Sequence, residues 1–339
     1  MSKHRQPPPM IRGQDQRRQP SIQFVESLLD GMEDGREFQS IVNMLPKNGD
    51  LMPDLRRAVA GIEAIRGHPC LCYIANVVDP RATGIEIDFS DDLPFKELVT
   101  SAPSSAEVDV FVTTPGGIGS QVPHFVQTLR AKYQKVNFII PYMCMSAGTL
   151  FALSGDRIFM DSRGFIGPID PQVRLKTGEF VPAQSVLHLL NKIHEEGDRA
   201  LARGESVPWH LVRLLDVMDP RQIGEAYTSS EYSIKLATEF LSKYKFSNWT
   251  NHSSDGRGVT SEERAARAFE IAGLLCSNEH WKSHSHGITR SVANSEVKLY
   301  IEGTEDISGL ERAVRRAWAV FSPLDGTLPS STYENTAQA

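Results

Sequence analysis

The chain is poor in cysteine. Four thiols, Cys70, Cys72, Cys144 and Cys276, are spread over 339 residues. Their spacing is neither a zinc-ligand pattern nor a C-x-x-C redox motif, since only Leu71 separates Cys70 from Cys72. Free thiols in a reducing compartment are the expectation. No apolar run approaches the roughly 20 residues that cross a bilayer. No apolar core follows the basic N-terminus, so no signal peptide is expected there. Basic residues are not in excess: the net charge is −6 and the pI about 6.0, which gives no electrostatic case for nucleic acid or an anionic surface. A G-x-G-x-x-G dinucleotide fingerprint and a Walker motif are both missing, so neither a nucleotide cofactor nor an ATPase in cis is expected.

What the chain does contain is ordinary for a globular protein, with 40% hydrophobic and 23% charged residues. Residues 1–20 are rich in Arg, Gln and Pro and read as a disordered tail. Helical periodicity follows over 22–44 and 55–65, giving an N-terminal helical segment, 21–66. A main α/β core is expected over 67–195, then a charged hinge at 196–206 and helices at 210–218, 222–244, 260–275 and 307–321. The C-terminal region, 196–321, therefore reads as helical, and 322–339 as a loose tail.

The informative stretch runs from Val108 to Leu153. Two short β-branched runs, 108–112 and 136–140, each end in an unusual turn and then a helical pattern. Parallel strands need such crossovers. The first turn, Thr114-Pro115-Gly116-Gly117, leaves backbone amides uncovered by side chains. The second, Met145-Ser146-Ala147-Gly148, puts Ser146 at a helix start, where free N–H groups carry partial positive charge. If the two turns are neighbours, Ser146 can attack a carbonyl while the amides of Gly117 and Ala147 hold the oxyanion. A plain N-cap serine is the alternative.

These residues, with the segment Phe165-Ile166-Gly167-Pro168-Ile169-Asp170-Pro171-Gln172, resemble the serine dehydrogenase proteinase family of Clp-protease-like and signal-peptide-peptidase-like serine peptidases. The 29 residues from Gly117 to Ser146 match the interval in Clp proteolytic subunits. The likeness covers about 67–193, with an echo at 280–288. It implies a Clp/crotonase-type spiral of strand-strand-helix units with added N- and C-terminal helices. It implies a serine peptidase acting through an acyl-enzyme, with Gly116, Gly117 and Ala147 as the oxyanion and substrate-binding set. It further implies a cytoplasmic homo-oligomer acting on peptide or unfolded protein, with no metal or organic cofactor and a possible separate ATPase.

The base is less direct. Where Clp subunits carry a histidine, this chain reads Ile169-Asp170-Pro171. In signal-peptide-peptidase-like enzymes the base is a helical lysine, and Lys192, 46 residues after Ser146, has the matching context. A neutral lysine needs burial, which Leu189 and Ile193 beside it would allow; a solvated lysine fits the pattern equally well. His188, one turn earlier, is another candidate. Asp170 could orient Lys192, hold a water, or only close an Asx-turn. His284 and His286 form a His-x-His pair without an evident third metal ligand, and the resemblance gives them a structural or site-rim role. Two other readings stay open: an inactive scaffold or binding module of this fold, and acyl-CoA chemistry.

Overall fold

The computed structural model describes residues 52–322 except 80, 253 and 254. The expected tail at 1–20, the helix over 22–44 and almost all of the tail at 322–339 lie outside the described residues.

A parallel sheet organises the chain. Its strands are β1 (Cys70–Ile74), β2 (Glu107–Thr113), β3 (Lys135–Ile140), β5 (Arg157–Met160) and β10 (Glu302–Gly303), in the order β1-β2-β3-β5-β10. All four pairings are parallel. Both faces must then be covered by helices, and the side chains alternate accordingly. Val110, Val112, Phe138, Ile140 and Ile158 enter one core. Phe111, Ile139 and Phe159 enter the other. The first core is roofed by α2 (Asp92–Ser101), α3 (Val122–Lys132), α4 (Ala147–Ala152) and, further along the chain, α7 (Pro220–Phe240) and α8 (Ser261–Cys276). The second is roofed by α1 (Met52–Arg66) and α9 (Leu310–Phe321), one from each end of the described chain.

The expected α/β architecture is therefore present, with two corrections. The hinge expected at 196–206 is mostly helix: α5 (Ala183–Ala202) runs through it. Its charges occupy the solvent side while Gly197 and Ala200 stay buried, so the run Glu195-Glu196 marks a solvated face, not a break. The C-terminal region is also more than helical, because Glu302–Gly303 completes the main sheet beside β5.

At the N-terminal end of the strands the sheet buries a carboxylate. Asp109 is fully buried. Arg66 binds it at 2.6 Å and 3.2 Å, Asn137 Nδ2 donates to it at 2.9 Å, and His68 Nε2 lies 3.0 Å away. Burial pushes its carboxyl up, but the bonds from His68 and Arg66 outweigh this and hold it below the ordinary range. Removing one partner of a buried ion pair costs about 3–5 kcal/mol, because the other charge is stranded. Asp109→Asn should therefore lower stability by about that amount in urea titrations at neutral pH. The sign follows from the depressed value. The stabilisation is complete above the unfolded carboxyl value near pH 4 and fades as pH falls through the folded one. The gap between wild type and variant should thus be flat from about pH 5 to 8 and close in stronger acid.

Candidate active site

A second, three-stranded sheet builds the site at the other end of the strands. It joins β4 (Met143–Cys144), β6 (Phe165–Ile166) and β9 (Ile288–Thr289) in the order β4-β6-β9. β4 and β6 are parallel, with Cys144 opposite Ile166. β6 and β9 are antiparallel, with Ile166 opposite Ile288. The end of β2 is stitched to β4: Thr114 N–H donates to the Met143 carbonyl and Met145 N–H to the Thr114 carbonyl, both at 3.0 Å. The two turns singled out in the sequence are therefore neighbours.

Ser146 sits at φ 50, ψ −116, which L-residues seldom adopt. It precedes α4 but makes no capping bond with its side chain, so the plain N-cap reading does not hold. The residue is partly exposed while all six residues of α4 are buried. Among the described residues its Oγ has no hydrogen-bond partner within the usual distance. Backbone strain of this kind is retained only where surrounding structure imposes it.

Gly116 lies directly against this serine at φ 109, and Gly117 follows at φ 138 against Ile87. A Cβ on Gly116 would fall 2.6 Å from Ser146 Cβ and 3.3 Å from its Oγ. The Gly116 carbonyl accepts from Ile87 N–H at 2.7 Å. In a trans peptide the N–H opposes the C=O, so the Gly117 amide points away from Ile87. The Gly116 amide is committed to Thr114 Oγ1 at 3.1 Å. That leaves Gly117 N–H and, at the start of α4, Ala147 N–H without acceptors among the described residues. Of the three residues expected to bind oxyanion and substrate, Gly117 and Ala147 have free amides and Gly116 supplies close approach.

Beyond β6 the chain runs through a turn to Asp170. Thr149 Oγ1 fixes this turn: it lies 2.9 Å from the carbonyl oxygens of Cys144 and Gly167 and accepts from Gly167 N–H at 3.0 Å. Extending the first register places Ser146 level with Pro168, and the chain leaving β6 and the chain entering β9 carry Asp170 and His284. The side chains of the latter pair meet. His284 Nδ1 and Asp170 Oδ1 are 2.8 Å apart, with Asp170 fully buried and His284 about a quarter exposed. A donor at Nδ1 leaves the Nε2 lone pair as an acceptor. Asp170 also helps burial push the Cys276 thiol up to about 12.

The other candidates are exposed. Lys192 is exposed on α5, without the partial burial that Leu189 and Ile193 were expected to provide. His188 is exposed on the same helix. His286 is exposed and tilts against Trp281, with ring centroids 5.2 Å apart. His284 and His286 thus have different partners, and among the described residues no group of three metal-ligating side chains converges.

Comparison with known proteins adds the following. Residues 82–202 match the family model of ClpP-like SDH-type serine proteinases. This SDH-type segment holds Gly116, Gly117, Ser146, Ala147, Asp170 and Lys192, whereas His284 lies outside it. The chain is similar to two uncharacterized proteins of Methanocaldococcus jannaschii. MJ0137 is 33% identical over 101 residues, 30% of this chain and 34% of that protein. MJ1495 is 26% identical over 204 residues, 58% of this chain and 65% of that protein. The chain thus spans about a third and just under two thirds of these relatives. Among solved structures it is similar to a lysine-to-alanine mutant of the 1510-N membrane-bound stomatin-specific protease in complex with a substrate peptide. That likeness has a TM-score of 0.40 and 15% identity, and covers 71% of this chain and 77% of the other. No helix of the described residues is long and apolar enough to cross a membrane.

Proposed function

We propose that this chain is a serine peptidase that forms an acyl-enzyme on Ser146, with His284 as its base and Asp170 orienting that base. The observation that carries the reading is the strained, unbonded Ser146 pressed against a turn with uncommitted amides. In this mechanism His284 Nε2 takes the Ser146 hydroxyl proton as Oγ attacks the peptide carbonyl. The amides of Gly117 and Ala147 donate to the oxygen on which charge develops. Asp170 fixes the imidazole through Nδ1–H and stabilises its charged form. His284 then passes the proton to the departing amine, and a water, deprotonated by the same nitrogen, releases the acid product. No step calls for a metal or organic cofactor.

The sequence pointed to Lys192 as base and Asp170 as its partner. A lysine base works only when desolvation favours its neutral form, and Lys192 is solvated. His284 has the buried carboxylate that Lys192 lacks, so the histidine reading has the stronger support. The substrates remain those expected: peptide or unfolded protein segments. A cytoplasmic setting belongs to the same reading, supported by four buried, unpaired cysteines.

A fluorophosphonate probe with peptide mass mapping tests this. Wild type should be modified at Ser146 alone, and Ser146→Ala not at all. His284→Ala should slow labelling by about 10³-fold or more, as removal of a triad base does. Lys192→Ala should change it by less than a few-fold. Loss of labelling in Lys192→Ala with retention in His284→Ala would reverse the base assignment. Absence of labelling in wild type would remove the peptidase reading.

A further inference from the structure

The helical arm that leaves the site carries an unpartnered surface. It starts with the hairpin β7 (Gln172–Arg174) and β8 (Phe180–Pro182), continues through α5, and turns into α6 (Trp209–Val217) before α7 begins. The arm has a small core of its own: Val173, Ala183, Leu187 and Ala226. Asp219 caps α7 and meets Lys176 of the hairpin at 3.3 Å. The base of α6 is therefore fixed, but the helix itself is nearly bare. Leu211 is its one buried residue. Trp209 is 80% exposed, Val217 62% and Val212 46%, and Leu214 and Leu215 are also exposed. A nine-residue helix is marginal in water by itself. One that is apolar on most sides requires cover.

What covers it is indicated by the order of its residues. At about 100° per residue, the side opposite Leu211 carries Trp209, Arg213, Asp216 and Val217, with His210 and Val212 at its two edges. The segment Val212-Arg213-Leu214-Leu215-Asp216-Val217 reads the same in size and polarity from either end, with the charge sign inverted about its centre. Two antiparallel copies related by a two-fold axis between Leu214 and Leu215 would set each Arg213 beside the partner's Asp216. Val212 and Val217 would flank this charged centre on its two sides. Such self-complementarity is what an isologous interface demands. Within one chain the Arg213–Asp216 separation is 3.9 Å, and the two side chains are 71% and 60% exposed, so each can turn to an intermolecular partner. The charge balance of the arm argues against an anionic surface: residues 183–221 carry five basic and six acidic side chains.

We propose that α6 is a two-fold self-association surface, pairing antiparallel with α6 of a second copy of this chain through crossed Arg213–Asp216 ion pairs and flanking valines. One helix per subunit is less than the roughly 800 Å² per partner of a typical stable interface, so the association depends on concentration.

Sedimentation velocity of the full chain, over a hundredfold range of concentration, tests it. Wild type should show a reversible mass increase by pairs. Arg213→Asp places like charges opposite each other twice, and should weaken the pairing at least tenfold. Adding Asp216→Arg to that variant restores opposite charges with the signs exchanged and should recover the wild-type equilibrium. All these positions are exposed, so circular dichroism should report unchanged folding, and probe labelling at Ser146 is scored separately. A wild type that stays monomeric throughout overturns the proposal. So does an Arg213→Asp variant that associates normally, or a double variant that is not rescued. Binding of a monomeric wild type to phosphatidylcholine vesicles would assign the apolar stripe to lipid and likewise overturn it.

Discussion

Ser146→Gly is expected to abolish acylation and, in the same molecule, raise the melting temperature. The two effects share one cause. At φ 50 and ψ −116, Ser146 holds a backbone conformation that a Cβ makes unfavourable, and such strain costs on the order of 1–3 kcal/mol. Glycine removes that cost, offset by about 0.5–1 kcal/mol of extra freedom in the unfolded chain. The net gain is about 1 kcal/mol, or roughly 2–4 °C for a domain of this size. Ser146→Ala loses the nucleophile equally but keeps the Cβ, so it should be inactive without becoming more stable. Paired thermal melts and probe labelling read both quantities. If alanine and glycine variants melt together at the wild-type temperature, the backbone at this turn is not strained. The structure then offers no reason for the serine to be held away from its helix. A gain in stability on loss of the reactive group is the pattern expected where function opposes folding.

How far the sequence disclosed this site depends on the range of the contacts involved. The two turns were legible because each is encoded locally. A β-branched run, a break rich in glycine or small residues and a helical pattern follow one another over about fifteen residues, and their adjacency follows from parallel pairing. Asp170 was legible as a candidate, but its contact with His284 was not. Its partner His284 is 114 residues away, and the register that joins them runs through β9, a strand of two residues. Two residues carry no periodicity. The His-x-His spacing did draw attention to His284, and on a strand that spacing puts both rings on one face. In fact His284 and Ser285 lie in a turn closed by the His286 N–H on the Ser283 carbonyl at 3.1 Å, which separates the two rings. The burial expected for Lys192 is the opposite case. Apolar neighbours in sequence are at about 100° intervals on a helix, so Ile193 can be buried while Lys192 beside it is exposed. The hairpin β7–β8 had a local signal, Thr177-Gly178 between Val173 and Val181, hidden by three-residue strands. In α6 the sequence alone reveals the palindrome but not that the helix is bare, because burial is set by tertiary packing.

Gly117→Ala should be the most damaging single methyl that can be added near the site. A Cβ there would fall 2.4 Å from the Ile87 oxygen and 2.5 Å from its nitrogen. Both are backbone atoms, so no rotamer change relieves the overlap, and φ 138 is itself poorly suited to alanine. Ile87 is also bound to this turn on both sides, through Gly116 O and Ile118 N. The segment before α2 must therefore detach, or the turn must rotate its amide. Either response moves the Gly117 N–H from the oxyanion position, where loss of one donor costs about 10²–10³-fold. Detachment adds a stability loss of about 3 kcal/mol or more, since overpacking against fixed backbone exceeds the usual range for cores. Gly116→Ala separates the two consequences. Its added methyl meets Ser146 Cβ at 2.6 Å and the Met145 oxygen at 2.9 Å, so it displaces the nucleophile and leaves Ile87 bound. Urea titration with labelling rates should then show two distinct signatures. Gly117→Ala loses stability and reactivity together, with faster proteolysis near residue 87. Gly116→Ala loses reactivity while the 87–118 pairing persists. A Gly117→Ala protein that labels at the wild-type rate would mean that the Gly117 amide takes no part in holding the oxyanion.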